Sequence, residues 1–501
     1  MGAVSVPAPS GGWNARDAMD KMDAMDAIKL VNWVPRAGYV ESRAGCQLHV
    51  EGLGGTVETI IPYRGATADK MLAAANSNIW DVTTTGAPSS IKSALTSDVW
   101  EHDHHSNVVI MVNGVDVPQV YNGTTITNIV VTGVTDTTLW GINNFKGRMY
   151  YWKQNDQSFW YAAANSYQGA LTQFDLSRVA GSGGNLVQMI TWTLDSGKGV
   201  DDLAAFVFST GEVIVYQGSD PADANDWSMI GKFSIGEPIS IRAHAQVGGT
   251  EIIASKDGYL DIGVALKGGR YSEDSSYSSK IIRAAKDAAI QYSGNTGWDC
   301  LLYPAGNLFI VNVPLSSTQS IQHVRDTTNG GWAKFTNWNA RSFGVHDDKL
   351  YFGDASGNIF LADVGITDNA LPIELEAVPA FNPLGSRTQK KLLTSESVVS
   401  SYITPSFWAL DGLADFNTTT RSTIQTDTVP GGGASDWDTS PWDTTDWASP
   451  TFLSDASAQP RAWRNVSSTG YTLTSSIRLN TVSQRIIWFS TAYIFKNAGA
   501  I

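Results

Sequence analysis

The sequence predicts an all-β fold: a β-propeller of about six to eight blades with an additional β platform. Three observations carry that expectation. Residues 203–218, LAAFVFSTGEVIVYQG, read as strand, Gly-centred turn and strand, with alternation on either side of Thr210-Gly211. Apolar residues fall on both faces of this hairpin, the pattern of strands sandwiched between neighbours. The same shape recurs at 70–83, 107–121, 144–163, 250–264, 299–313 and 341–363. The turns fall near Ser77, Gly114, Gly147, Gly211, Gly258, Gly306 and Asp348, at gaps of roughly 33 to 64 residues, mostly near the ~40–50 of propeller blades.

Composition sets the outer bounds. The chain has 501 residues, enough for two or three domains or for one large propeller with additions. Charged residues make up 16% and hydrophobic residues 42%, so a core needs no covalent staple. Cys46 and Cys300 are the only cysteines, which excludes a disulfide framework and a Cys-rich zinc site. No run approaches the ~18 apolar residues of a membrane helix. Net charge is −14 and no basic stripe is present, so tight phosphate-mediated DNA binding is not expected. The acidic balance does not argue against a passage through which DNA slides without sticking.

Taken in order, the chain opens on MGAVSVPAPSGG, an extended Pro/Gly arm without the charged start and apolar core of a secretory signal. Val6 stands where a myristoylation pattern needs Ser or Thr. In residues 14–33, Asp17, Asp20, Asp23 and Asp26 recur every third residue among Met19, Met22, Met25 and Ile28. This reads as a short surface helix or helical turn with a solvated acidic face, or as an acidic wall or docking element of an assembly. Residues 34–65 read as strands leading into the first hairpin. Residues 280–291 are the best helix, with Ile281, Ile282, Ala285, Ala288 and Ala289 on one side and Ser278 or Ser279 as cap. The expected domains are an N-terminal arm, short helix and strands that join the platform (1–55), the propeller (56–365) and a C-terminal β domain that supplies the rest of the platform (366–501). The last carries a basic patch at Arg387, Lys390 and Lys391 and a Trp-rich loop at 434–450.

Reactive motifs are sparse. There is no Walker loop, dinucleotide fingerprint, nucleophile elbow or HExxH pair. In Glu101-His102-Asp103-His104-His105, an extended chain would put His102 and His104 on one face, as a zinc or nickel pair requires; a polar loop leading into the next strand is the plainer reading. Asp201-Asp202, Asp257 and Asp347-Asp348 are carboxylates a glycosidase could use, yet each sits where a turn favours Asp. Trp437, Trp442 and Trp447 are compatible with a sugar-stacking loop, a hook for a partner, or packing within the chain. No cofactor or metal is expected.

The segments NARD…DAIKLVNWVPRAGYVESRAG (14–45) and VETIIPYRG (57–65) resemble the opening of the tail nozzle proteins of short-tailed bacteriophages, also described as tail-tube or packaged-DNA stabilisation proteins. The resemblance continues through FKGRMYYWKQNDQSFWYAAANSYQGALTQFDLS (145–177), WTLDSGKGVDDLAAFVFSTGEVIVYQGSDP (192–221), TNGGWAKFTNW and LYFGDASGNIFLAD, covering most of residues 14–365. It implies a non-enzymatic virion protein, assembled in the host cytoplasm, that forms a homo-hexameric ring below the portal and adaptor (head-to-tail connector) rings. Such a ring continues the DNA channel, helps retain the genome, touches double-stranded DNA only as it passes, and carries tail fibres or spikes and a plug or needle. The regular Asp-Met repeat at 17–26 departs from that family. The alternative is a carbohydrate-binding or carbohydrate-cleaving propeller that acts in receptor binding.

Overall fold

The computed structural model describes residues 1–66, 68–195, 200–267, 273–401, 408–424, 463–482 and 484–498. Two compact units emerge. One comprises 48–322 and 337–362; the other comprises 1–47, 323–336 and 363–501. Residues 323–336, expected within the propeller, fall in the second unit. TNGGWAKFTNW has the Gly turn and apolar strand of any other hairpin, but its strand Trp332–Phe335 pairs in parallel with Asp26–Val31, at Val31 and Lys334. Nothing local in that stretch signals a partner three hundred residues away.

The first unit is a succession of small antiparallel sheets in chain order. The first contains Thr59–Tyr63, Lys70–Ala75, Asn78–Asp81 and Ser89–Lys92. The second contains Glu101–His105, Val108–Val112, Gln119–Tyr121 and Ile126–Asn128. The third is Leu139–Phe145, Arg148–Lys153, Ser158–Tyr161 and Thr172–Asp175. The fourth is Leu186–Asp195, Val200–Phe208, Glu212–Gln217 and Ser228–Ser234. The fifth has three strands, His244–Val247, Thr250–Ser255 and Gly258–Asp261. The sixth begins with the hairpin of Asp299–Tyr303 and Leu308–Pro314. The seventh is Ser342–His346, Lys349–Gly353 and Ile359–Ala362, and its fourth strand is Cys46–Val50. Each of the seven expected hairpins lies in a different sheet.

Apolar side chains fasten neighbouring sheets face to face. Ile61 and Leu72 of the first meet Val109 and Met111 of the second. Ile110 and Val112 of the second meet Met149 and Tyr151 of the third. Tyr150 and Phe159 of the third pack on Phe206, Tyr216 and Trp227, with Phe159 stacked on Phe206 at 4.7 Å between ring centres. Ile190 and Val207 of the fourth meet Ile253 and Leu260 of the fifth. Tyr351 and Ile359 of the seventh pack with Ile60 and Met71 of the first. The 203–218 hairpin is buried on both faces for this reason.

The expected helix is present as Ile282–Tyr292, led in by the 3-10 turn Ser279–Ile281, with Ile282, Ala285, Ala288 and Ala289 buried. Its serine cap is not: no side chain caps it, and the Ser278 hydroxyl accepts the Tyr259 N–H at 3.0 Å instead. Among the described residues no helix is long and apolar enough to cross a membrane.

The second unit holds two packed sheets. One joins Arg464–Gly470, Lys391–Ser401, Ile487–Asn497, Tyr39–Ser42 and Trp33–Arg36, with Gly2–Pro7 also paired to Ile487–Asn497. The other contains Asp26–Val31, Ile373–Pro379, Leu473–Thr481 and Ala409–Ala414. Val6, Leu393 and Tyr493 of the first sheet and Leu473 of the second share one apolar cluster. The opening residues are therefore an extended strand paired to Ile487–Asn497. Residues 14–25 form bends and turns rather than the expected short helix. The reason is the three-residue step of the aspartates, which walks around a 3.6-residue helix instead of keeping one face.

Candidate functional site

In five sheets of the first unit, the first strand or the segment leading into it carries charged side chains. Thr59 and Ile60, Glu101 and His102, Arg242 and His244, Asp299 to Leu302, and Ser342 to Val345 line one cavity of about 280 Å³. They come from five sheets, because each sheet places its first strand, or the segment just before it, at this cavity.

Arg242 is the hub. Its Nε donates to Glu101 Oε1 at 2.7 Å, one terminal nitrogen to Glu58 O at 2.7 Å, and the other to Thr59 Oγ1 at 2.9 Å and Trp100 O at 2.6 Å. One guanidinium thus ties a segment of the fifth sheet to the first and second. A planar fork with five donors can hold acceptors in several directions at once. Cys300 N donates to Arg242 O at 3.2 Å, adding the sixth sheet. Nearby, His244 Nδ1 lies 2.6 Å from Glu251 Oε1. Burial pulls the His244 imidazole down, but the Glu251 hydrogen bond and charge outweigh it and leave the pKa raised. His102 lacks such a carboxylate, and burial with the nearby His104 and Arg242 lowers it to about 3. Asp299 accepts Phe343 N–H at 3.2 Å, and burial pushes its carboxyl up to about 6. Arg341, beside the cavity, donates to Thr296 Oγ1 at 2.6 Å and to Glu58 at 3.3 Å.

The EHDHH stretch is not the expected polar loop but a strand paired with Val108–Val112, and it also fastens neighbouring sheets. Asp103 accepts the Asn144 N–H of the third sheet, and Asn144 Nδ2 donates to His104 O at 2.7 Å. Burial raises the Asp103 carboxyl to about 6. His102 and His104 share a strand face as expected, but among the described residues no three His, Cys, Asp or Glu side chains are grouped to hold a metal ion. The carboxylates weighed for glycoside chemistry are dispersed. Asp257 follows Thr250–Ser255, and Asp347 and Asp348 take the left-handed turn of the seventh sheet at φ 51° and 56°. Asp202 sits in strand Val200–Phe208 opposite Thr193.

In the second unit the acidic repeat splits. Asn14 Nδ2 donates to Asp17 and to Asp26, both at 2.8 Å, and Asp26 is buried. Asp17 also pairs with Arg16 at 2.8 Å. Asp20 and Asp23 remain exposed. Four aspartates on one wall is therefore corrected to two that brace the turn and two that face solvent. The basic patch divides likewise. Arg387 is exposed and reaches Asp20 O at 3.3 Å, Lys390 is half-buried, and Lys391 is buried. Lys391 donates to Gln389 O at 2.8 Å and Tyr471 O at 3.1 Å, so it closes a loop and is not available for docking. Trp437, Trp442 and Trp447 lie outside the described residues.

Two features of this unit have no motif. Arg43 is buried in a two-pronged pair with Asp368 and also donates to Asn32 Oδ1 and Thr336 O, both at 2.9 Å. Glu396 is buried between the sheets with Ser475 donating to Oε2, while its Oε1 has no partner among the described residues. Burial raises this carboxyl to about 8. The only trace of Glu396 in the sequence is a charge inside a hydroxyl-rich strand, and Arg43 falls just after strand Tyr39–Ser42.

No protein-family model matches the chain, and no curated protein matches its sequence. Solved structures give weak likenesses. The computationally designed Ika8 protein is 10% identical, covering 64% of this chain and 100% of its own, at a TM-score of 0.37. A chain of the mitotic checkpoint complex is 8% identical over 70% of this chain and 100% of its own, at 0.39. Raptor from Chaetomium thermophilum is 12% identical over 64% of this chain and 28% of its own, also at 0.39.

Proposed function

We propose that this chain is a ring-forming structural protein of a virion, the tail nozzle of a short-tailed bacteriophage. On this reading residues 48–322 and 337–362 close into a seven-bladed β-propeller, and six copies of the chain surround a channel for DNA. The observation that carries closure is the seventh sheet. Its outer strand Cys46–Val50 runs into the start of the unit at Leu48, and its other three strands come from the end. Borrowing a strand in this way joins the two ends of a blade series by backbone hydrogen bonds and removes a free edge.

The assignment to a nozzle is supported by the ordered segments at 14–45, 57–65, 145–177 and 192–221, and by the net charge of −14. In a closed ring of like subunits, equivalent carboxylates face a common axis. They repel DNA phosphates within about 8–10 Å at physiological salt, which keeps a passing duplex from adhering. Asp20 and Asp23 are exposed and suit that task. Genome retention would fall to a constriction or plug and not to base contacts.

Electron microscopy and native mass spectrometry of the full chain, alone and with a candidate adaptor ring, test this. The expected result is a six-fold ring with an axial opening and only weak, salt-sensitive DNA binding. A monomer under both conditions, or nanomolar DNA binding at physiological salt, overturns it.

A further inference from the structure

The second unit carries a groove of about 740 Å³, a size that suits small-molecule ligands. Trp408, Arg421, Thr423, Arg464 and Asn465 are among the residues that line it. The chain has 48 acidic and 34 basic residues, yet this lining holds two arginines and no carboxylate. Both arginines are exposed, and neither side chain has a hydrogen-bond or ion-pair partner among the described residues. The nearby fold presents them. Asp411 pairs with Arg478 at 2.9 Å, which meets its charge, and it accepts the Ser422 N–H at 2.9 Å, the Ser422 hydroxyl at 2.8 Å and the backbone N–H of Arg421. That clamp fixes the backbone from which the Arg421 side chain extends and leaves its guanidinium donors unused. Arg464 opens the strand Arg464–Gly470 and is held by the ladder to Lys391–Ser401.

Each ligand class can be weighed against that lining. A cation would meet two positive charges. An apolar molecule would cover guanidinium, hydroxyl and amide groups without answering any of them. Nucleic acid carries one charge per ~1.7 Å of duplex. Most of that charge would fall on a chain of net charge −14 rather than on two arginines. A small molecule with a single carboxylate avoids that repulsion. A sugar carboxylate also uses the rest of the groove. The guanidinium fork matches the carboxylate, and the Thr423 hydroxyl and Asn465 amide suit sugar hydroxyls. Half-buried Trp408 offers an indole to the apolar face of a pyranose.

We propose that this groove binds an acidic oligosaccharide, its carboxylate on Arg421 and Arg464 and a pyranose ring against Trp408. The groove lies within one unit, so it does not depend on the ring proposed above.

Calorimetric titration of the full chain at physiological salt with sialyllactose, digalacturonate, neutral lactose, inorganic phosphate and a short oligothymidylate tests the proposal. Saturable binding of at least one acidic sugar is expected, with lactose, phosphate and the oligonucleotide each about tenfold weaker or worse. The two acidic sugars distinguish a sialic acid from a uronic acid as the source of the carboxylate. Arg421→Ala and Trp408→Ala should each weaken that binding about fivefold or more, and the affinity should fall as salt rises. Arg387→Ala, which removes an exposed arginine of the same unit that does not line the groove, should change nothing. If Trp408→Ala fails to fold, Arg464→Gln carries the same expectation. No saturation by either acidic sugar up to about 10 mM, equal binding of lactose or phosphate, tighter binding of the oligonucleotide, or unchanged affinity in Arg421→Ala overturns the proposal.

Discussion

Glu396 and Arg242 show how differently a single charge can sit in a β core. Glu396 is held near 8 by burial, against 4.5 in the open chain, so the folded state keeps a proton that the unfolded state releases. The stability linked to that proton is full below pH 4.5 and is lost as pH climbs through about 8. Glu396→Gln, neutral at every pH, should therefore stabilise the protein by about 4–5 kcal/mol at pH 8.5 and progressively less toward pH 5. Thermal unfolding across that range checks it, and a constant offset at all pH values contradicts it. Arg242 works the other way, because its charge is met on every side. Arg242→Ala leaves Glu101 and three oxygen acceptors behind and should cost roughly 3–5 kcal/mol in denaturant unfolding. Arg242→Lys should recover little, since one ammonium cannot reach acceptors spread around a planar fork. Neither residue is legible in the sequence. A charge in a strand looks the same whether it faces water or a cavity, and the acceptors of Arg242 lie some 140 to 184 positions away.

Hairpins were the most legible element, because two strands and their turn are local. Gly211 explains why. It adopts φ 82°, and a Cβ there would lie 2.1 Å from Ile235 O, so the turn needs both the left-handed backbone and the missing side chain. Gly211→Ala should destabilise the fold by well over 1 kcal/mol, read as a lower denaturant midpoint. Gly38→Ala, at φ 85° with nothing within 4 Å of the added carbon, carries the backbone strain alone and should cost less. The helix at 282–292 was legible for a similar reason, its alanines and isoleucines repeating on one face. What stayed hidden was the pairing of outer strands. Thr172–Asp175 joins Ser158–Tyr161 across ten intervening residues that include a two-residue parallel bridge, and no period in the sequence marks that detour. The site suffered most: the EHDHH cluster drew attention as a metal pair, while its Asp103 and His104 bind Asn144 of the next sheet.

At the scale of the molecule, the borrowed strand Cys46–Val50 should behave as a clasp. Leu48→Pro and His49→Pro sit at adjacent positions, so one of them removes a ladder N–H whichever way the strand faces. That variant should speed hydrogen exchange at Ile359–Ala362 and lower the unfolding midpoint, while Glu212–Gln217 keeps its protection until global unfolding. Uniform loss of protection in every sheet would instead mean that the unit opens as one body. The other unit raises a question of timing. Ile487–Asn497 pairs with Gly2–Pro7, with Tyr39–Ser42 and with Lys391–Ser401, so its first partners leave the ribosome some 480 residues before it does. At about 5–20 residues per second, those early strands wait for tens of seconds with bare edges. A nascent chain would thus hold its opening strands in reserve, exposed to chaperones or to mispairing, until Ile487–Asn497 arrives.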